Sequence, residues 1–169
     1  MQPSGRATTD RTRIVLWLQK GPVTHEIVGL TGGGGFGGTV YVVDDKELTG
    51  QFTAMVTQDV LPPGMVTVPN IPAFADNYRL TSIQPIRQAT TLYTFQPHMH
   101  LRGKSMKYTA VYPDGREEVL INVPKYDFNW QIIYELAEPI TLPAGSVIRV
   151  DAVWDNSTKN RYNPKPEQD

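Results

Sequence analysis

The chain has no cysteine, which excludes both disulfides and thiolate metal ligands. Cysteine usage therefore says nothing about which side of a membrane the protein occupies. It also lacks the run of about 18 apolar residues that a membrane-spanning helix needs. No excess of either charge is present: 16 Lys and Arg face 17 Asp and Glu, a formal net charge of −1. Without a broad electrostatic field, neither nucleic acid nor an anionic membrane is expected as a partner. The opening Met1-Gln-Pro-Ser-Gly-Arg6 has no signal-peptide apolar stretch, so if the protein is exported its signal is expected upstream. Amphipathic helical periodicity is scarce, and histidine is rare, with three in the whole chain.

Proline and glycine are plentiful instead, 14 of each in 169 residues. They punctuate short runs of valine, threonine, tyrosine and isoleucine, the pattern of an all-β sandwich or barrel. The length suits one domain with a substantial core. Strands are expected over residues 13–19, 39–43, 51–56, 89–96, 107–112, 117–123, 131–136 and 146–154. Pro113-Asp-Gly115 marks a hairpin turn between two of them, because proline fixes φ, aspartate nucleates and glycine accepts positive φ. Residues 69–79, with Pro69, Pro72 and Asn77, are expected to form an irregular connection. The chain is expected to fray from Asp155 onward. Gly32-Gly-Gly-Gly-Phe-Gly-Gly38 reads as a plain loop, since no Gly-Lys-Ser/Thr and no helix signal follow it.

The candidate chemistry lies at His98 and His100. In an extended segment side chains alternate, so a two-residue spacing aims both imidazoles one way and Met99 the other. Two neutral imidazoles on one face begin a copper or zinc site, or they are simply two exposed histidines at a strand end. His25 reads as an ordinary surface residue. Tyr126, Phe128 and Trp130 alternate, which would set them on one side of a strand, packing a core or lining a cleft. Asp155-Asn-Ser-Thr158 offers oxygen ligands suited to calcium but more readily forms a turn closed by side-chain hydrogen bonds. Its Asn156-Ser-Thr158 also fits the glycosylation sequon, a pattern common by chance.

The segment Phe95-Gln-Pro-His-Met-His-Leu-Arg-Gly-Lys-Ser-Met106 resembles the His-x-His-x-x-Gly motif of copper type II, ascorbate-dependent monooxygenases. That family includes the peptidylglycine α-hydroxylating and dopamine β-monooxygenases, and the motif lies in their C-terminal domain. A strand before the histidines, the Pro-Asp-Gly hairpin after them, Tyr126-Asp-Phe-Asn-Trp-Gln131 and Leu142-Pro-Ala-Gly-Ser-Val-Ile-Arg-Val150 extend the likeness over about residues 59–163, which look like bacterial members. The resemblance implies an antiparallel, jelly-roll-like β-sandwich over residues 13–163, with a glycine-rich insertion over about 20–58. Residues 1–12 look like an interdomain linker, and 164–169 are expected as a frayed tail.

The resemblance further implies copper as cofactor, held by His98 and His100 and by a soft methionine thioether that favours Cu(I). Its partners would be an N-terminal domain carrying a second copper on three histidines, and a small-molecule substrate hydroxylated at a C–H bond. Ascorbate or another one-electron donor would supply electrons, in the periplasm or outside the cell.

Two departures matter. The family's methionine ligand lies well downstream of the histidine pair, but no methionine follows Met106 here. Either that ligand is lost with a truncated C-terminus or another residue substitutes. Met106 is a candidate third ligand whose default role is core packing. The chain by itself is expected to be an incomplete and inactive fragment of its parent enzyme. Peptide-amidating members carry an arginine two positions before the first histidine to hold a peptide carboxylate, whereas this chain has Gln96. A C-terminal peptide substrate is therefore not expected. A non-catalytic binding or structural module that keeps the histidine pair is the competing reading, and a carbohydrate-binding sandwich using the aromatic row is a third.

Overall fold

The structure, a computed structural model, describes residues 7, 9, 11–23, 27, 29 and 71–168, together with the backbone of 41–43, 51–53 and 65–67. The Gly-rich stretch and His25 lie outside the described residues. Among those described the fold is all β, with no helix. It contains strands β1 (Tyr41–Val43), β2 (Gln51–Thr53), β3 (Met65–Thr67), β4 (Tyr78–Pro85), β5 (Thr90–Phe95), β6 (Gly103–Val111), β7 (Glu117–Val123), β8 (Tyr134–Leu142) and β9 (Val147–Trp154). One sheet runs in the order β3-β2-β1-β4-β9-β6-β7 and the other is the pair β5-β8. Every pairing is antiparallel except β2 with β3.

The period-two pattern of β9 decides which side of the large sheet is inside. Ile148, Val150 and Ala152 are buried at alternate positions, while Arg149 and Asp151 between them take the outer face. Register carries the division to the neighbours: Leu80 opposes Ala152 and Ser82 opposes Val150. On the other side Met106 opposes Ala152, Tyr108 opposes Val150 and Ala110 opposes Ile148. Leu92, Phe95 and Leu142 come from the small sheet into the same buried cluster. The Phe95 and Tyr108 rings meet across the two layers with centroids 5.5 Å apart. Burial pushes the Tyr108 hydroxyl up to about 12, so it stays neutral in the core. The outer face has opposite chemistry. Arg149 holds Glu117 through two contacts of 2.9 Å, and Asp151 accepts from Thr81 at 2.8 Å.

The hairpin turn forms where the Pro-Asp-Gly signal puts it. Gly115 has φ +83°, Tyr112 N donates to Arg116 O at 2.9 Å, and Asp114 Oδ1 accepts from Arg116 N at 2.9 Å.

Four expectations are corrected. Residues 13–19 form no strand, and Ile14, Leu16, Trp17 and Leu18 are between 76% and 88% exposed. A strand-forming composition yields no strand without a partner ladder and an apolar face to cover. The connection expected over 69–79 ends in strand, because β4 begins at Tyr78 and pairs with β9 through Pro85. Pro85, which has no N–H to give a ladder, is the last residue of this strand. Third, residues 124–133 are irregular, so Tyr126, Phe128 and Trp130 share no strand face.

Last, the segment from Asp155 is tied down rather than frayed. Asn156 is fully buried and donates from Nδ2 to Ile71 O, Pro72 O and Gln168 O at 3.2, 3.0 and 2.8 Å. Its Oδ1 accepts from Asn163 Nδ2 at 2.7 Å. Arg102 donates to Lys165 O and Gln168 O, and Asn160 to Leu101 O and Asp155 O. These side-chain amides and the Arg102 guanidinium satisfy backbone groups that a strandless segment would otherwise leave bare.

Candidate metal centre

β5 ends at Phe95, and residues 96–100 follow it outside any strand. Burial alternates along them: Pro97 and Met99 are buried, Gln96, His98 and His100 exposed. The two-residue spacing thus aims both imidazoles outward and Met99 into the core, as the pattern of the sequence requires. Their ring centroids are 5.1 Å apart, with planes at 83°. Two imidazoles bound to one ion at about 2.0–2.1 Å, at a tetrahedral angle, would have centroids about 5 Å apart. The separation of the pair is compatible with one shared ion and is equally that of an ordinary edge-to-face ring contact.

The backbone at the pair is fixed from behind. Tyr126 Oη accepts from Met99 N at 3.0 Å and donates to Met99 O, so one side chain replaces the missing ladder partner. Burial is the largest influence raising the Tyr126 hydroxyl above its ordinary value, which keeps the donating proton in place. After His100 the chain turns sharply, Gly103 N donating to His100 O at 2.8 Å. A Cβ at Gly103 would lie 2.6 Å from Met99 Cβ and 2.8 Å from Tyr126 Cδ1. The glycine of the His-x-His-x-x-Gly spacing therefore serves close packing: it lets β6 start directly behind Met99.

His98 has a partner of its own. Its Nδ1 lies 2.5 Å from Gln131 Oε1, and Gln131 Nε2 donates to Phe128 O at 2.7 Å. That loop is braced by an aspartate-nucleated turn: Asp127 Oδ1 accepts from Asn129 N, and Asp127 O from Trp130 N, both at 2.9 Å. The sequence drew attention to Tyr126-Asp-Phe-Asn-Trp-Gln131 for its aromatics. The residues in it that touch the histidine segment are Tyr126 and Gln131, whose tertiary contacts no local pattern signals.

Met106 takes a different place. It is buried on the inner face of β6, in the same cluster as Met99, while the imidazoles are exposed. Its assignment as a third ligand gains nothing from that placement. Tyr126 and Trp130, with Tyr134, Arg161 and Tyr162, line an open groove of about 640 Å³, and Trp130 is 64% exposed. Phe128 is not among its walls. Asp155 closes a local turn, accepting at Oδ1 from Ser157 N and Oγ at 2.9 and 2.6 Å, which is the turn reading of that segment. Asn156 has its amide buried and bonded, so its sequon is closed to glycosylation in the folded chain.

Compared with known proteins, the chain matches no family model and no curated protein.

Proposed function

We propose that this β-sandwich is the copper-holding domain of a monooxygenase-like protein, with His98 and His100 each giving one imidazole nitrogen to a single ion. The observation that carries the reading is the ring pair, exposed, outward-facing and 5.1 Å apart between centroids. Imidazole suits copper, and copper tops the affinity order of the divalent first-row metals at nitrogen sites. Bound there, copper would supply one-electron redox chemistry toward dioxygen, with coordination positions left open beside the two imidazoles.

The chain's own residues bind and orient. Tyr126 fixes the backbone between the histidines, and Gly103 lets the next strand close behind them. C–H hydroxylation, a one-electron donor such as ascorbate, a partner domain with a second copper and a periplasmic or extracellular setting all rest on the His-x-His-x-x-Gly resemblance. The competing reading, a binding or structural module without catalysis, draws support from the burial of Met106 away from solvent.

Copper titration against a competing chelator decides the matter for the ion. Wild type is expected to hold one copper that His98→Ala/His100→Ala does not, with both proteins equally folded. Equal binding by the two would sink the reading.

A further inference from the structure

Gln131 does more than fill space beside His98. Phe128 O is a carbonyl and can only accept, so the Gln131 NH₂ that faces it at 2.7 Å fixes which end of the amide is which. The oxygen end is then turned to His98 Nδ1. An amide oxygen can only accept, and Nδ1 must therefore carry the hydrogen. In the neutral ring that leaves Nε2 with its lone pair free. His98 and His100 are both exposed, and no other side chain among the described residues hydrogen-bonds either ring. Gln131 is half-buried, and its loop is held by the Asp127 turn and by the Tyr126 clasp on Met99.

We infer that Gln131 is a positioning residue of the metal centre: it locks His98 in the Nδ1–H tautomer and so assigns Nε2 as the atom that meets the ion. The inference rests on the copper reading for its purpose, though not for its geometry. Partners of this kind, donated to by a ligand histidine's second nitrogen, orient the ring and raise its basicity. Removing one weakens metal binding by about 10- to 100-fold. The arrangement also ties His98 to residues 126–131, of which Tyr126, Asp127 and Trp130 line the neighbouring groove.

The test has a metal-free arm and a metal arm. Long-range ¹⁵N–¹H NMR of the apoprotein, at a pH where the rings are neutral, is expected to show His98 as Nδ1–H in wild type. Gln131→Glu, which can still accept from Nδ1, keeps that tautomer. Gln131→Leu loses it for a mixture rich in Nε2–H, while the buried Met99 methyl signal stays put as a check on folding. In the metal arm, Gln131→Leu weakens copper binding by about 10-fold or more, and Gln131→Glu restores it. An Nδ1–H His98 persisting in Gln131→Leu overturns the inference, as does a lost tautomer with copper affinity unchanged. Should wild type and His98→Ala/His100→Ala bind copper alike, the copper reading falls instead. The metal-free arm still decides whether Gln131 orients His98.

Discussion

Two segments of this chain invert the usual rule about what goes inside. Residues 14–18, Ile-Val-Leu-Trp-Leu, are apolar, rich in strand-formers and exposed throughout. Residues 156–163 are polar, yet Asn156, Ser157 and Asn163 are buried. The difference lies in what each can satisfy. The apolar segment has no sheet face among the described residues against which to lose its water. The polar one crosses the end of the sandwich, where the carbonyls of Ile71, Pro72, Leu101 and Gln168 need donors. Its asparagines supply them. Hydrophobicity drives burial only where a complementary surface exists. A polar residue enters a core when each of its groups is matched.

The strongest way to break that comparison is Asn156→Ala. The change would strip a donor from three carbonyls and an acceptor from Asn163, at a cost of about 2–4 kcal/mol. Urea unfolding measures it. A loss below about 1 kcal/mol would mean that the network follows the fold rather than holding it.

A smaller effect is expected of polar contacts left in water. The Arg149 guanidinium, hydrogen-bonded to Glu117, holds that carboxyl below its ordinary value. A depressed folded-state value means that the pair's contribution is complete above the unfolded value. It is lost as pH falls through the folded one. Wild type should therefore lose slightly more stability than Glu117→Gln from about pH 5 downward, and added salt should shrink the gap. A wild-type advantage over Glu117→Gln that grew as pH fell would reverse the sign and refute the account. Least of all is expected from Leu16→Ser or Trp17→Ser, within about 0.5 kcal/mol of wild type. A loss of several times that in the same unfolding assay would mean that residues 14–18 pack in solution.

The strands best read from sequence are those whose signals are local. β7 was legible to the residue because Pro113-Asp-Gly115 fixes the turn before it. β9 was legible because its alternation is unbroken. β4 was obscured by the proline and asparagine punctuation ahead of it, and its register exists only through β9. The spacing of His98 and His100 determined that both rings would share a side, since in extended backbone the alternation is set by stereochemistry alone. What the sequence by itself settled was thus the all-β class, the hairpin and the direction of two imidazoles. Only the tertiary structure brought Tyr126 and Gln131 across some 30 residues of chain to hold the Met99 backbone and the His98 ring. It alone sent Met106 inward and buried Asn156. Such contacts depend on which loop meets which strand, and chain neighbours do not encode that.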